Sequence, residues 1–135
     1  MKSKQLFRTF LLITGLFIPT YWALVFTGLF PVEELVPGYQ SWFMSFPLAD
    51  AYIAICCFLA FAMLKSSPRL AGLFSVMAGS GLIFLGLYAV SYGHVTGLLY
   101  QLTMDEIIEI AIKIYCLGGG TYFTLEAWKL IKAES

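Results

Sequence analysis

Charged side chains are scarce in this sequence. Only 12% of its 135 residues are Asp, Glu, Lys or Arg, whereas 60% are hydrophobic and the mean hydropathy is +0.84. A soluble domain of this length needs more charge to cover its surface, which excludes that class. The eight Lys and Arg residues are scattered and the formal net charge is zero, so the chain offers no basic face for nucleic acid. The composition predicts an integral membrane protein whose main partner is the lipid bilayer.

Histidine and cysteine are also rare, which limits the available chemistry. His94 is the only histidine, and a single histidine in a predicted loop does not make a metal site. Cys56, Cys57 and Cys116 lie in apolar runs without a CxxC spacing, so thiol redox chemistry is not expected. No Ser-His-Asp set, glycine-rich nucleotide loop or HExxH motif occurs. We therefore expect no metal and no cofactor, and an enzyme is the least favoured class because no nucleophile is identifiable.

Four long apolar segments are present, and each is close to the roughly 20 residues that a helix needs to cross a bilayer. These segments are 9–30, 46–64, 70–93 and 107–128. The charges within them are Asp50 in the second segment and Glu109, Lys113 and Glu126 in the fourth, which makes the fourth less apolar. We predict a single membrane domain, 1–135, forming an all-α, antiparallel up-down bundle of four transmembrane helices. Their predicted bounds are about 7–30, 46–64, 70–93 and 105–130.

Lysine and arginine are distributed unevenly among the predicted connections. Seven of them lie before the first span, between the second and third spans, or after the fourth: Lys2, Lys4, Arg8, Lys65, Arg69, Lys129 and Lys132. The other two connections contain none. Because Lys and Arg are enriched in cytoplasmic loops, both termini are predicted to be cytoplasmic. We expect a multi-pass protein of the cell membrane, in a bacterium the inner membrane.

Glycine recurs every seven residues in the third predicted span, at Gly72, Gly79, Gly86 and Gly93. Helices in lipid associate through close backbone approach and dispersion, because lipid supplies no hydrophobic drive between them. This face is therefore predicted to be a packing seam, and its seven-residue period favours a left-handed crossing. The sequence leaves open whether the seam joins a helix of the same chain, a second copy in a homo-oligomer, or another membrane protein.

Three charges are predicted to share one depth in the outer half of the bundle. The second and fourth spans run in the same direction, which places Asp50 level with Ala111, between Glu109 and Lys113. Charges at membrane depth cost roughly 2.5 to 3.5 kcal/mol on insertion scales, so they need a structural or functional reason. Glu109 and Lys113 have the i, i+4 spacing of a helical ion pair. Two carboxylates against one ammonium would leave one carboxyl protonated or a cation bound, unless Asp50 reaches the outer surface.

Two tyrosines, Tyr52 and Tyr88, are predicted in the same outer half and would add hydrogen-bonding groups to this layer. We hypothesise that Asp50, Glu109, Lys113 and these tyrosines bind or transport a small hydrophobic or cationic ligand. A structural or accessory subunit that assembles through the glycine face is the alternative, and an intramembrane enzyme using carboxylate acid–base chemistry is the third. The charges could also serve only to stabilise the bundle.

Three short motifs resemble segments of uncharacterised small bacterial four-span membrane proteins. They are Phe46-Pro-Leu-Ala-Asp50, Gly81-Leu-Ile-Phe-Leu-Gly86-Leu and Gly97-Leu-Leu-Tyr100. The resemblance covers the second and third predicted spans and part of the connection that follows. It implies a four-span architecture and brings no activity with it.

Overall fold

The structure is a computed structural model that describes residues 2–133, and helix is the only regular structure in that range. Four helices are long and two are short. The long helices are α1 (Lys2–Phe26), α3 (Pro47–Met63), α4 (Pro68–Thr96) and α5 (Met104–Ala133). The short ones are α2 (Tyr39–Phe43) and a 3₁₀ turn at Leu98–Tyr100.

Three stretches of helix are long and apolar enough to cross a membrane: Ser3–Phe26, Tyr39–Met63 and Pro68–Thr96. The second of them joins α2 to α3. Fewer than half of the residues in the most apolar part of each stretch are buried inside the chain, so large apolar side chains cover the outside. A continuous apolar exterior of this extent is unfavourable in water and indicates a membrane protein.

Glycine and proline mark the helix boundaries. α1 ends at Phe26, four residues before the predicted bound, and Gly28 follows with a left-handed φ of 75°. Gly97, with φ of 76°, ends α4 after Thr96. Glycine adopts this conformation without a Cβ penalty, which lets the chain leave the helix. α3 and α4 each begin at a proline, which suits the first turn because its missing N–H would be unpaired there.

Neighbouring long helices pack antiparallel to one another. Between α1 and α3, Trp22 is hydrogen-bonded to Asp50 whereas Gly15 lies against Phe58, so residue numbers rise along one helix as they fall along the other. The contacts between α3 and α4 and between α4 and α5 follow the same order. α1 also contacts α5, because the ring of Phe7 packs against those of Tyr122 and Phe123. The start of α1 and the end of α5 therefore lie at one end of the molecule, called the terminal end below, and the connections 27–46 and 97–103 lie at the other, called the loop end.

The predicted seam glycines of α4 face α5, and this is the most extensive helix pairing in the structure. A Cβ on Gly79 would lie 2.7 Å from the carbonyl oxygen of Gly120, and a Cβ on Gly120 would lie 2.6 Å from the carbonyl oxygen of Gly79. The two backbones thus touch. Gly72, Gly86 and Gly93 also have side chains of α5 within 4 Å of the position a Cβ would take. The glycine face is covered by a helix of the same chain.

Two buried clusters divide the interior along the helix axis. The cluster nearer the terminal end consists of Phe7, Leu11, Ile53, Cys56, Cys57, Ala60, Ala78, Leu82 and Phe123. The cluster at the loop end consists of Trp22, Tyr39, Phe43 and Leu98. The second cluster adjoins the buried charges, and the candidate binding site lies there.

Candidate functional site

A cavity of about 90 Å³ lies in the loop-end half and is bordered by all four long helices and α2. One water needs roughly 10–15 Å³ of such space, so this central cavity has room for several waters or a small ligand. Its aromatic lining residues are Tyr21, Trp22, Trp42, Phe43 and Phe46. Its charged lining residues are Asp50, Glu109 and Lys113. The three charges predicted at one depth thus border one cavity.

Asp50 reaches the central cavity from the first turn of α3, where the helix dipole favours a negative charge. Its Oδ2 accepts a hydrogen bond from the indole Nε1 of Trp22 at 2.7 Å. Within residues 2–133 this is the only hydrogen bond to the carboxylate, and no Lys or Arg lies within ion-pair distance of it. Asp50 is therefore a carboxylate without a counter-ion, and the neutral indole compensates a negative charge there only in part.

Glu109 is held from two sides. The hydroxyl of Tyr39 donates to its Oε1 at 2.6 Å, and the Nζ of Lys113 lies 3.6 Å from its Oε2. Its side chain is 18% exposed. Both oxygens therefore have partners, but the ammonium is at the long end of ion-pair distance and the short bond comes from a neutral phenol.

The closest partner of Lys113 is Glu106, which sequence reasoning missed. The Nζ of Lys113 donates to Oε1 of Glu106 at 2.9 Å, and the two side chains are only 6% and 4% exposed. The residues are seven apart, which is about two helical turns, so they lie on one face of α5. That spacing was present in the sequence, but the i, i+4 neighbour Glu109 was the expected partner.

The buried charges do not balance. Asp50, Glu106 and Glu109 present three carboxylates, and within residues 2–133 only the ammonium of Lys113 contacts any of them. Lys113 divides its charge between the two glutamates of its own helix. The excess carboxyl groups lie at the cavity, where such groups are either protonated or stabilised by a bound cation.

Tyr52 and Tyr88 do not border the central cavity. They are 47% and 49% exposed, and their side chains lie on the outside of the chain. The ring of Tyr88 packs behind the cavity wall, with its centroid 6.3 Å from that of Trp42 and 6.0 Å from that of Phe46. Their predicted contact with a ligand would require the ligand to lie outside this cavity.

Tyr39 enters the site because the connection before α3 folds inward. The carboxylate of Glu34 accepts hydrogen bonds from the backbone N–H of Gly38, at 2.5 Å, and of Gln40, at 2.8 Å, and so holds the start of α2. Trp42 then stacks on Tyr92 of α4 with ring centroids 3.9 Å apart and an interplanar angle of 7°. The sequence marked this segment as an aromatic interfacial connection and gave no sign that one tyrosine points into the interior.

A second cavity of about 160 Å³ adjoins the first at the loop end and is called the loop cavity. Tyr21, Phe43, Glu109 and Ile112 line both cavities. The loop cavity is further lined by the connection from Phe30 to Leu35 and by the start of α5. Glu109 thus lies in the wall between the two cavities.

Metal-binding geometry is not found among residues 2–133, where no three His, Cys, Asp or Glu side chains are grouped for it. His94 lies on the exposed surface, and its Nδ1 is 2.6 Å from the hydroxyl of Tyr100. The three cysteines are free thiols.

Comparison of the chain with protein-family models, with curated proteins and with solved structures gives no match. The class of protein is therefore indicated by the structure alone. Three helices long and apolar enough to cross a membrane indicate a membrane protein. Its interior contains a cavity with aromatic walls and an excess of carboxylates.

Proposed function

We propose that this chain is a four-span protein of a bacterial inner membrane that binds or transports a small hydrophobic or cationic ligand in its central cavity. An organic ammonium ion suits the cavity best. The observation that carries the proposal is Asp50, a carboxylate without a counter-ion in a cavity walled by aromatic rings.

The outward face of α5 supports a fourth span. Between residues 107 and 125 its exposed residues are Ile107, Ile108, Ala111, Ile114, Gly118, Thr121 and Leu125. None of them is charged, and this face extends for about 28 Å at 1.5 Å per residue, close to the roughly 30 Å thickness of the hydrocarbon core. The charges that lower the hydropathy of α5, such as Glu106 and Lys113, point inward. Lipid would therefore meet an apolar helix.

The distribution of cations supports cytoplasmic termini. Lys113 is buried within α5. The other described Lys and Arg residues lie toward the terminal end, and the loop-end connections contain none. One of them, Arg8, lies over the ring of Phe61 at 4.7 Å, which ties the start of α1 to the end of α3. By the positive-inside rule the loop end faces outward. The central cavity then lies in the outer half of the membrane, and a bacterial origin agrees with the resemblance noted above.

Aromatic walls and an anionic group together favour an organic cation over a metal ion or a neutral molecule. A cation over the face of an aromatic ring gains about 0.5 to 2 kcal/mol, with tryptophan the most favourable ring. Trp22, Trp42 and Tyr21 supply such rings, and Asp50 supplies the opposite charge. The alkyl groups of an ammonium ion would meanwhile replace water against the apolar part of the wall.

The experiment is a titration of the full chain in lipid nanodiscs with tetramethylammonium, followed by tryptophan fluorescence and by native mass spectrometry. Trp22 and Trp42 line the cavity and would report occupancy. We expect saturable binding that Asp50→Asn weakens by about tenfold, the effect of losing one charge-assisted contact. Glu126→Gln, at the terminal end, is the matched control and should leave the affinity unchanged.

A neutral molecule of similar shape, tert-butanol, should not compete at equal concentration. Unchanged affinity in both Asp50→Asn and Glu109→Gln would contradict the proposal. The alternative of an accessory subunit would need another surface for its partner, because α5 covers the glycine face. Tyr21, Lys113 and Cys116 border the cavity as possible nucleophiles, but Lys113 is paired with Glu106 and Glu109, so an intramembrane enzyme stays the third alternative.

A further inference from the structure

Two further spaces border the central cavity. One is the loop cavity, which shares four lining residues with it. The other is a groove of about 370 Å³ between α1 and α3, which shares only Trp22 with it. The two spaces lead to different phases, because the loop cavity reaches the loop-end surface whereas the groove opens between helices that face lipid.

The groove is poorly suited to admit a cation. Its other lining side chains are apolar, among them Pro19, Ala51 and Ala54. The one residue through which it meets the central cavity, Trp22, is buried and has its indole N–H fixed on Asp50 at 2.7 Å. A ligand on this path would have to cross lipid as a cation and then break the hydrogen bond that orients its own binding group.

The loop cavity has the opposite character. Its charged lining residues are Glu33, Asp105 and Glu109, all acidic, and the first two are exposed at the surface. Glu109 borders both cavities, so a cation that leaves the surface carboxylates meets Glu109 next and Asp50 after it. Acidic side chains along an opening concentrate cations and speed their arrival.

One side chain, Tyr39, lies at the wall between the two cavities. Tyr39 lines the loop cavity but not the central one, is buried, and donates its hydroxyl to Glu109 at 2.6 Å. Its ring is packed against those of Trp42, Phe43 and Tyr92. Because this packing fixes the ring, release of the hydrogen bond depends on the Glu109 carboxylate, whose other oxygen lies 3.6 Å from the Nζ of Lys113.

We propose that the loop cavity is the entrance through which an organic cation reaches the central cavity from the outer aqueous phase, with the Tyr39–Glu109 hydrogen bond as its gate. This inference rests on the proposed function, since it assigns a route to the same ligand. The carboxylate of Glu109 swings from Tyr39 toward the arriving cation, passes it to Asp50, and returns.

The test measures the rates of tetramethylammonium binding to the full chain in nanodiscs by stopped-flow tryptophan fluorescence. Tyr39→Phe removes one hydroxyl and keeps the packed ring. We expect association and dissociation both to accelerate by about fivefold, the factor given by one hydrogen bond of typical net strength, with little change in Kd. Tyr100→Phe is the matched control, because that hydroxyl lies outside both cavities and its loss should change neither rate.

A second variant keeps the test decisive if Tyr39→Phe folds poorly. Glu33→Gln with Asp105→Asn should slow association by about threefold at low ionic strength, and the difference should vanish in high salt. Unchanged rates in both variants would overturn the inference, as would slower association in Ala51→Phe, which fills the groove. Absence of any binding to the unmodified chain would instead overturn the proposed function itself, so the two failures are distinguishable.

Discussion

The two ends of the molecule are built from the same four helices but differ in what fills their interior. At the terminal end the core is made of apolar side chains, and Cys57, Ala60 and Phe123 are completely excluded from solvent. At the loop end the interior contains two cavities, three carboxylates and one ammonium. Close packing characterises one end, and polar groups with open space form the candidate binding site at the other. Stability and binding should therefore respond to different substitutions.

The α4–α5 seam shows the same contrast along a single pair of helices. At Gly79 the two backbones touch, whereas a Cβ on Gly93 would lie 3.4 Å from the Nζ of Lys113. The repeat of small residues thus has two effects. It brings the helices together near the middle, and at the loop end it leaves space for a charged side chain.

The largest effect is expected from Gly79→Leu, which tests whether the seam supports the whole fold. A side chain there would meet the backbone of Gly120 and separate α4 from α5, at a cost of about 4 kcal/mol or more. The measurement is unfolding in detergent followed by circular dichroism. Gly118→Leu is the matched control, since nothing lies within 4 Å of that Cβ position, and equal losses in the two variants would contradict the seam.

A smaller effect is expected from Lys113→Met, which tests whether the loop-end charges are coupled. Removal of the ammonium leaves Glu106 and Glu109 buried without a counter-ion, a loss of about 3 kcal/mol in the free energy of unfolding. Adding Glu106→Gln to Lys113→Met should recover much of the lost free energy of unfolding, because one buried carboxylate is then neutral. A double variant no more stable than Lys113→Met alone would show that the buried pair is not an energetic unit.

The smallest effect is expected from Glu34→Ala, which tests whether α2 opens independently of the rest of the loop end. The substitution removes two backbone partners at the start of α2. We expect amide exchange across Tyr39–Phe43 to accelerate by about fivefold because local opening becomes easier. Exchange in α5 should stay as it was. Faster exchange throughout both helices would mean that α2 is part of the global folding unit.

Much of the helical architecture was predictable, because the sequence shows the length of each apolar segment and the Gly and Pro residues at the helix ends. Asp50, Glu109 and Lys113 lie around one cavity, as their predicted depth implied. The faces of the helices were harder to predict. In lipid both the inner and the outer face of a helix are apolar, so polarity does not reveal which tyrosine points inward. Tyr52 and Tyr88 face outward, while Tyr21 and Tyr39 border the cavities.

The charged residues differ in where their partners come from, and this matters during synthesis of the chain. Lys113 finds Glu106 and Glu109 on its own helix, so α5 carries its ion pairs before any other helix touches it. Asp50 instead depends on Trp22 of α1, which emerges from the ribosome earlier. Asp50 and Lys113 therefore each have a partner on their own helix or on one that precedes it in the chain. The four helices can therefore assemble in chain order, because neither of these charged side chains depends on a helix that follows its own.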